Sequence, residues 1–134
     1  MPAEAPKQDT TDTEAVVALE IPATSRHLAL ARTAAVGVIA ELDPDLDAVE
    51  NLRLAVSELV SLVSDATTAA VVRIEFRLDP PTLTVSAVPI EPGQRVVPDD
   101  LARRILDTTT ESHEFFEDGS GELRVDVLGP TDSE

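Results

Sequence analysis

The chain contains no cysteine. Without thiols it can form no disulfide framework, no thiolate metal site, no cysteine nucleophile and no thiol switch. Long apolar runs are also missing, since none approaches the ~18 consecutive residues that a membrane span needs. The opening stretch MPAEAPKQDTTDTE lacks the apolar core of a secretory signal peptide. We therefore expect a cytoplasmic protein that does not associate with a membrane.

Basic residues are scarce. Ten Lys and Arg face 26 Asp and Glu, which gives a formal net charge of −16 at pH 7. Proteins bind the phosphate backbone of nucleic acids through basic patches. We therefore expect that electrostatic attraction does not bring this acidic chain to nucleic acid. An acidic surface attracts basic partners. The alternative is that the charge serves only to keep the protein soluble.

The length of 134 residues predicts one domain. A chain of this size buries roughly two-thirds of the surface that it exposes when unfolded. This is enough for a hydrophobic core that needs no disulfides or structural metal ions. Apolar residues make up 43% of the sequence, which excludes a chain that is disordered throughout. We assign the polar residues 1–13 to a disordered tail and residues 14–130 to a single domain.

Apolar spacing predicts two consecutive helices. In residues 26–42 apolar side chains recur at helical intervals, with Thr24 or Ser25 as the candidate cap. The turn Asp43-Pro44-Asp45 separates this helix from a second one, because proline and a capping Asp suit a first turn. The second helix is expected to end near Ala66, and its core stripe consists of Leu52, Ala55, Val56, Leu59, Val63 and Ala66.

The rest of the chain predicts strands and one short helix. Strands are expected at residues 15–21, 71–78, 82–88, 111–117 and 122–129, and a helix at 99–110, capped by the pair Asp99-Asp100. The last two strands are joined by Asp118-Gly119-Ser120-Gly121, a hairpin signal. The resulting order, β-α-α-β-β-α-β-β, predicts an α+β two-layer sandwich with a mixed or antiparallel sheet and helices on one face.

Two stretches resemble a known family. Residues 21–33 read IPATSRHLALART, and residues 39–61 read IAELDPDLDAVENLRLAVSELVS. They are similar to the anti-sigma factors of the RsbW and SpoIIAB type, which are bacterial members of the histidine-kinase-like, Bergerat-fold ATPases. The matching features are a proline before the first helix, Arg32 within it, the Leu42-Asp43-Pro44 turn and Ser57-Glu58 in the second helix. The expected order of elements also fits from about residue 14 to 129.

The resemblance implies an anti-sigma factor. Such a protein forms a homodimer, holds an alternative sigma factor away from RNA polymerase and is countered by a STAS-type anti-anti-sigma protein. Arg32 matches the family arginine at the sigma contact, and His27 and Leu28, about one turn earlier, are further candidates. The alternatives are an Arg32 that is solvated or paired within the chain and a Leu28 that belongs to the core.

The nucleotide site of the family is largely missing from this sequence. Active members use the matching glutamate, here Glu58, as a base toward a serine of the antagonist, and an Asn four residues later binds magnesium. Leu62 stands at that Asn position and offers no oxygen ligand. The Asp that reads adenine in the family falls near Pro89 of this sequence, and residues 94–104 replace the glycine-rich lid. We therefore expect no ATP, magnesium or other cofactor. Glu58 is then an exposed or capped helix carboxylate, and Leu62 fills the vacant space as a core residue.

Two other functions stay open. The chain could be an active serine-protein kinase that phosphorylates its anti-anti-sigma antagonist, with Glu58 catalytic and Asp65 as a replacement magnesium ligand. It could also be a binding module of the same fold without a sigma partner. Because His27 and His113 have no second ligand at metal-binding spacing, we expect no metal site. Phe115-Phe116 should place one ring in the core and the other outside, where it is a candidate interface anchor.

Overall fold

A computed structural model describes residues 15–127. Within this range the elements follow the order predicted from the sequence. They are β1 (Ala15–Pro22), α1 (Leu28–Ile39), α2 (Leu46–Ala66), β2 (Val71–Asp79), β3 (Thr82–Pro89), α3 (Asp100–Thr109), β4 (Ser112–Phe115) and β5 (Gly121–Asp126). The predicted tail and residues 14 and 128–130 of the predicted domain lie outside the described residues.

The five described strands form one open sheet in which every neighbouring pair is antiparallel. Their order is β1-β2-β3-β5-β4. The sequence left a mixed sheet and an antiparallel sheet open, and the structure has the antiparallel one. β5 lies between β3 and β4, so the chain passes through α3 to the far edge strand and then returns through the hairpin.

The core lies between one face of the sheet and the helices. Every second residue of β2 and β3 is buried, as expected for strands with one covered face. α1 packs over β2, α2 packs over β3 and β5, and α3 packs against α2. None of the helices in residues 15–127 is long and apolar enough to cross a bilayer.

Two aspartates start two of the helices, as the sequence predicted. Asp45 Oδ1 accepts a hydrogen bond from the Ala48 N–H at 2.8 Å, and Asp99 Oδ1 accepts one from the Ala102 N–H at 2.8 Å. Each carboxylate satisfies an amide that has no partner inside its helix. The pair Asp99-Asp100 is therefore a helix start, with Asp99 at the capping position.

The start of α1 differs from the prediction. A turn of 3-10 helix over Ser25–His27 comes first, and the position before α1 is taken by His27, which makes no side-chain capping bond. The predicted cap of α1 by Thr24 is wrong, because this turn moves the first α-helical amides along the chain. Thr24 Oγ1 lies 3.1 Å from His27 Nδ1 instead.

The core stripe of α2 is confirmed except at its end. Leu52, Ala55, Val56, Leu59 and Val63 are buried, whereas Ala66 is exposed. Ala66 is the last residue of the helix, and the chain becomes extended at Thr67 on its way to β2. The prediction for Ala66 is therefore wrong, because helical spacing places it on the core side but says nothing about where the covering layer ends.

Candidate functional site

α1 and α2 bring together two residues that carry the family resemblance. Arg32 Nη1 donates a hydrogen bond to Ser57 Oγ at 3.1 Å, although the two residues are far apart in the sequence. Both side chains are half-buried. Of the two alternatives to a partner contact, a solvated Arg32 and an Arg32 paired within the chain, the structure shows the second. This bond occupies one guanidinium nitrogen, so the remaining N–H groups can still bind a partner.

Arg32 and Ser57 line a shallow groove of about 360 Å³ between the two helices. Its other lining residues are Glu50, Asn51, Arg53 and Leu54. Leu54 is 47% exposed, so the groove includes an apolar side chain that solvent reaches. Arginines beside an exposed apolar side chain are typical of protein–protein contacts, and the arginine fork suits a partner carboxylate.

The sequence did not identify the four additional groove residues. Leu54 lies two positions after Leu52 and therefore points away from the core stripe of α2. An apolar residue on the polar face of a helix is the signal that could have found this groove. Glu50, Asn51 and Arg53 carry no such signal, because polar residues are ordinary on an exposed helix face.

The other two candidate contact residues, His27 and Leu28, do not line the groove. His27 is half-buried and interacts with Thr24, and Leu28 is half-buried and packs against the core. Of the three candidate contact residues, only Arg32 lines the groove.

Glu58 lies on α2, is half-buried and is repelled by the negative charge of Asp99, the residue that caps α3. Burial raises the pKa of its carboxyl, and the negative charge of Asp99 raises that pKa further. Glu58 is half-buried rather than fully exposed, and the starts of α2 and α3 are capped by Asp45 and Asp99. The role of Glu58 stays a prediction. A carboxyl that holds its proton more tightly is a better base near neutral pH than an ordinary glutamate.

We expect Glu58→Gln to stabilise the protein at pH 7, by less than about 1 kcal/mol because the site is partly solvated. The folded-state pKa lies above 4.5, so the folded chain binds this proton more tightly than the unfolded chain. Raising the pH through the folded-state pKa therefore removes this stabilising contribution from the protein with Glu58, whereas the Gln variant has no such contribution to lose. Thermal unfolding at pH 7 and below pH 4.5 measures the difference. A variant that melts earlier at pH 7 would contradict this environment of Glu58.

Leu62 is half-buried and packs against the edge of the core. It was predicted as a core residue, and it reaches the core without being enclosed by it. Asp65, the replacement ligand in the kinase alternative, is exposed and accepts a long hydrogen bond of 3.5 Å from Ser61 Oγ. In residues 15–127 no group of three or more His, Cys, Asp or Glu side chains is placed to hold a metal ion. The lack of a metal site stays a prediction.

The segment that follows β3 is tied to the β4–β5 hairpin. Pro89 is buried at the end of β3 opposite Val72. Four residues later, the Gly93 N–H donates to the carbonyl oxygen of Asp118 at 2.7 Å. A Cβ on Gly119, which has φ +92°, would lie 3.2 Å from the Gln94 carbonyl oxygen. Residues 90–98 are therefore connected to the β4–β5 hairpin at a point where glycine is required.

The predicted hairpin at Asp118 is confirmed. Asp118 Oδ1 accepts hydrogen bonds from Ser120 Oγ at 2.6 Å and from the Ser120 N–H at 2.9 Å. The hydroxyl bond, followed by the backbone bond, holds the pKa of Asp118 below its usual range. The carboxylate thus stays ionised at neutral pH and closes the turn. The neighbouring ring pair also behaves as predicted, with Phe115 buried and Phe116 36% exposed.

No protein-family model matches the sequence, and no curated protein is significantly similar to it. The family resemblance therefore rests on the residues quoted above from 21–33 and 39–61 and on the order of the elements.

Proposed function

We propose that this chain is an anti-sigma factor that captures an alternative sigma factor and keeps it from RNA polymerase. The observation that carries the proposal is the Arg32–Ser57 hydrogen bond. It joins two positions of the family motif at the rim of one groove, where the arginine can reach a partner. A STAS-type anti-anti-sigma protein would compete for the complex and set the sigma factor free.

The architecture supports this proposal. An antiparallel sheet of five described strands, with helices packed on one face and the order β-α-α-β-β-α-β-β, is compatible with a histidine-kinase-like Bergerat fold. We include that fold in the proposal. A scaffold can keep its partner-binding surface after losing its chemistry, because function depends on sites that are added to a fold.

The charge of the chain supports a basic partner. Sigma factors carry basic DNA-binding surfaces, and this chain has a net charge of −16. Complementary fields speed the encounter of two proteins and make it sensitive to salt. Within this acidic chain, the groove is lined by two arginines, Arg32 and Arg53, and by one carboxylate, Glu50. The excess of one positive charge is suited to a single carboxylate on an otherwise basic partner.

We further propose that capture needs no nucleotide. Magnesium requires oxygen ligands, and Leu62 offers none. Pro89 lacks both a carboxylate and an N–H, and the segment after it is bonded to the β4–β5 hairpin through Gly93. A protein of this kind would act in the cytoplasm by stoichiometric capture, as a homodimer, and its regulation would depend on exchange between partners.

The nucleotide part of the proposal is tested by calorimetric titration of the full chain with ATP and with ADP, each with magnesium. We expect no binding heat and no shift in melting temperature, because three of the four family elements of that site are replaced. Titration with magnesium alone is the control for nonspecific binding to an acidic protein. Micromolar nucleotide affinity would overturn this part and bring the kinase alternative forward.

The sigma-factor part is tested by capture. The immobilised protein is incubated at low salt with lysate of its source bacterium, and the retained proteins are identified by mass spectrometry. The identified sigma factor is then purified and used in transcription with RNA polymerase, where inhibition at equimolar protein is expected. Recovery of no sigma factor would favour a binding module with a different partner.

The raised pKa of Glu58 is the one observation that favours the kinase alternative. A half-buried carboxyl beside another negative charge is suited to accept a proton from a serine hydroxyl. ATP-dependent phosphate transfer to a STAS-type protein, abolished in Glu58→Gln, would establish that activity.

A further inference from the structure

The face of the sheet that points away from the helices has an apolar surface at one end. In each strand, the residues that alternate with the buried ones belong to this outer face. The three helices pack their buried side chains into the core on the opposite face, so no described helix covers the outer one. At the end of the outer face where β1 and β3 finish, five apolar residues form what we call the outer patch: Pro22, Val71, Val88, Ile90 and Phe116.

The pairing of the strands places these side chains next to one another. Pro22 lies opposite Val71 across β1 and β2. The Ile90 N–H donates to the Val71 carbonyl oxygen at 2.9 Å, which continues the β2–β3 ladder by one residue, and Val88 lies two residues before Ile90. Phe116 follows two strands further across the sheet, about 10 Å away at the backbone, where β4 ends beside the start of β5. The outer patch is therefore an apolar strip across β1, β2 and β3 with an aromatic ring on its far side.

Solvent reaches most of this strip. Ile90 is 51% exposed, and Val88 and Phe116 are each 36% exposed. Single apolar side chains are ordinary on a surface, but several neighbouring ones on an uncovered sheet face mark a site of contact. Both ends of the described chain, Ala15 and Val127, lie at the opposite end of the sheet, about 23 Å away along the strands. The sequence singled out Phe116 alone as an interface anchor, and the sheet supplies its neighbours.

Two carboxylates face each other beside the outer patch. Glu114, two residues before Phe116, lies directly opposite Glu122 of β5 on the same face. Like charges that face each other across two strands destabilise a sheet. In residues 15–127 neither glutamate forms an ion pair, although Arg124 of the next row helps them to line a hollow of about 140 Å³. A positive charge supplied by a partner would relieve this repulsion.

The arginines that flank the outer patch are already paired. Arg73 on the outer face of β2 lies 3.4 Å from both Glu20 and Glu75, and Arg95 lies 3.3 Å from Glu117. With the facing glutamates of β4 and β5 added, carboxylates outnumber arginines around the outer patch. Nucleic acids and anionic membranes are therefore repelled from this surface, whereas a cationic protein surface is attracted to it.

We propose that the outer patch and the Glu114–Glu122 pair together bind a basic amphipathic helix of a partner protein. Apolar side chains of that helix cover the strip, and a Lys or Arg one turn away lies between the two glutamates. The spacing fits, because two residues along a strand span about 7 Å and one helical turn spans about 5.4 Å. The occupant is a helix because sheet faces are covered by helices, whereas an added strand pairs at an edge. This surface lies opposite the α1–α2 groove, and its evidence does not depend on the sigma-factor proposal.

A fluorescent peptide of about 14 residues, with leucines on one helical face and lysines on the other, is the probe. It is titrated with the full chain at about 0.15 M salt, which screens weak long-range attraction, and we expect saturable binding at micromolar concentrations. Ile90→Ser removes an exposed apolar side chain and Glu122→Gln removes one of the facing charges, so each should weaken binding at least about fivefold.

Two control variants make the same chemical changes elsewhere. Val97→Ser replaces a 76% exposed valine outside the outer patch, and Glu41→Gln replaces an exposed glutamate between α1 and α2. Both should leave the affinity within about twofold of the natural chain. Equal weakening by the patch variants and the controls would reveal nonspecific attraction of a cationic peptide to an acidic protein and would overturn the proposal. An absence of saturable binding would overturn it too.

Amide shifts in NMR spectra of the isotope-labelled full chain locate the bound peptide. The peptide should move the signals of Val88, Ile90 and Phe116 and leave that of Arg32, in the groove on the other face, in place. Shifts confined to Arg32 and its neighbours would contradict the proposal. Patch signals that move with protein concentration alone would assign the surface to a second copy, and contacts with residues 1–14 would assign it to the chain itself. Either result overturns the partner helix, and none of these outcomes decides whether the chain captures a sigma factor.

Discussion

Replacing Phe76 by alanine is expected to lower the free energy of unfolding by about 3–5 kcal/mol. The ring is fully buried in β2, between Val17 of β1 and Val85 of β3. Its removal costs the transfer energy of a large apolar group and leaves a cavity under α1 that packed neighbours close only in part. Urea denaturation at pH 7, followed by circular dichroism, measures the loss.

Phe116→Ala provides the matched control. It removes the same side chain from a position that is 36% exposed, so we expect a loss below about 1 kcal/mol. Equal losses for Phe76→Ala and Phe116→Ala would contradict the assignment of one face of the sheet to the core. The comparison also separates burial from any general cost of removing an aromatic residue.

Arg32→Ala is expected to weaken binding of the cognate sigma factor at least about 30-fold, which corresponds to roughly 2 kcal/mol. The variant loses both the charge and the guanidinium fork at the rim of the α1–α2 groove. The melting temperature should change little, because the lost hydrogen bond to Ser57 joins two half-buried groups. Isothermal titration at low salt measures the affinity.

Three control variants show how Arg32 acts. Arg32→Lys keeps the charge without the bidentate fork, so intermediate affinity would indicate a carboxylate contact on the partner. Ser57→Ala removes the group that positions the guanidinium and should have a smaller effect. Arg104→Ala removes an exposed arginine of α3 that does not line the groove, so it controls for net charge and should leave the affinity nearly unchanged. Unchanged affinity in Arg32→Ala would count against the assignment of this groove to the sigma contact.

Local patterns in the sequence predicted most of the secondary structure. Apolar spacing located α1 and α2, and the residues able to satisfy free amides, Asp45 and Asp99, mark the observed helix starts. The turn at Asp118 was equally predictable, because its carboxylate accepts a hydrogen bond from the backbone of Ser120, two residues later. Each of these features depends on neighbours within about four positions in the chain.

The features that the sequence did not predict depend on distant residues. The order of the strands requires β5 to enter between β3 and β4, and no local pattern specifies that choice. The shifted pKa of Glu58 depends on Asp99, which reaches it only when α3 packs on α2. The exposure of Ala66 depends on where the covering layer ends. Helical spacing assigns residues to a face, but it does not say which parts of that face are covered.

The unequal edges of the sheet also limit how far the protein can assemble. A sheet with two long apolar edges can add copies head to tail without end, which produces fibres. Here one edge is β1, with eight residues, whereas the opposite edge offers only the four residues of β4, most of them polar. A strand added at β4 gains few backbone hydrogen bonds, and the polar side chains of β4 offer little apolar surface to a neighbour. Head-to-tail growth, which needs both edges, is therefore disfavoured by the shortness of one strand.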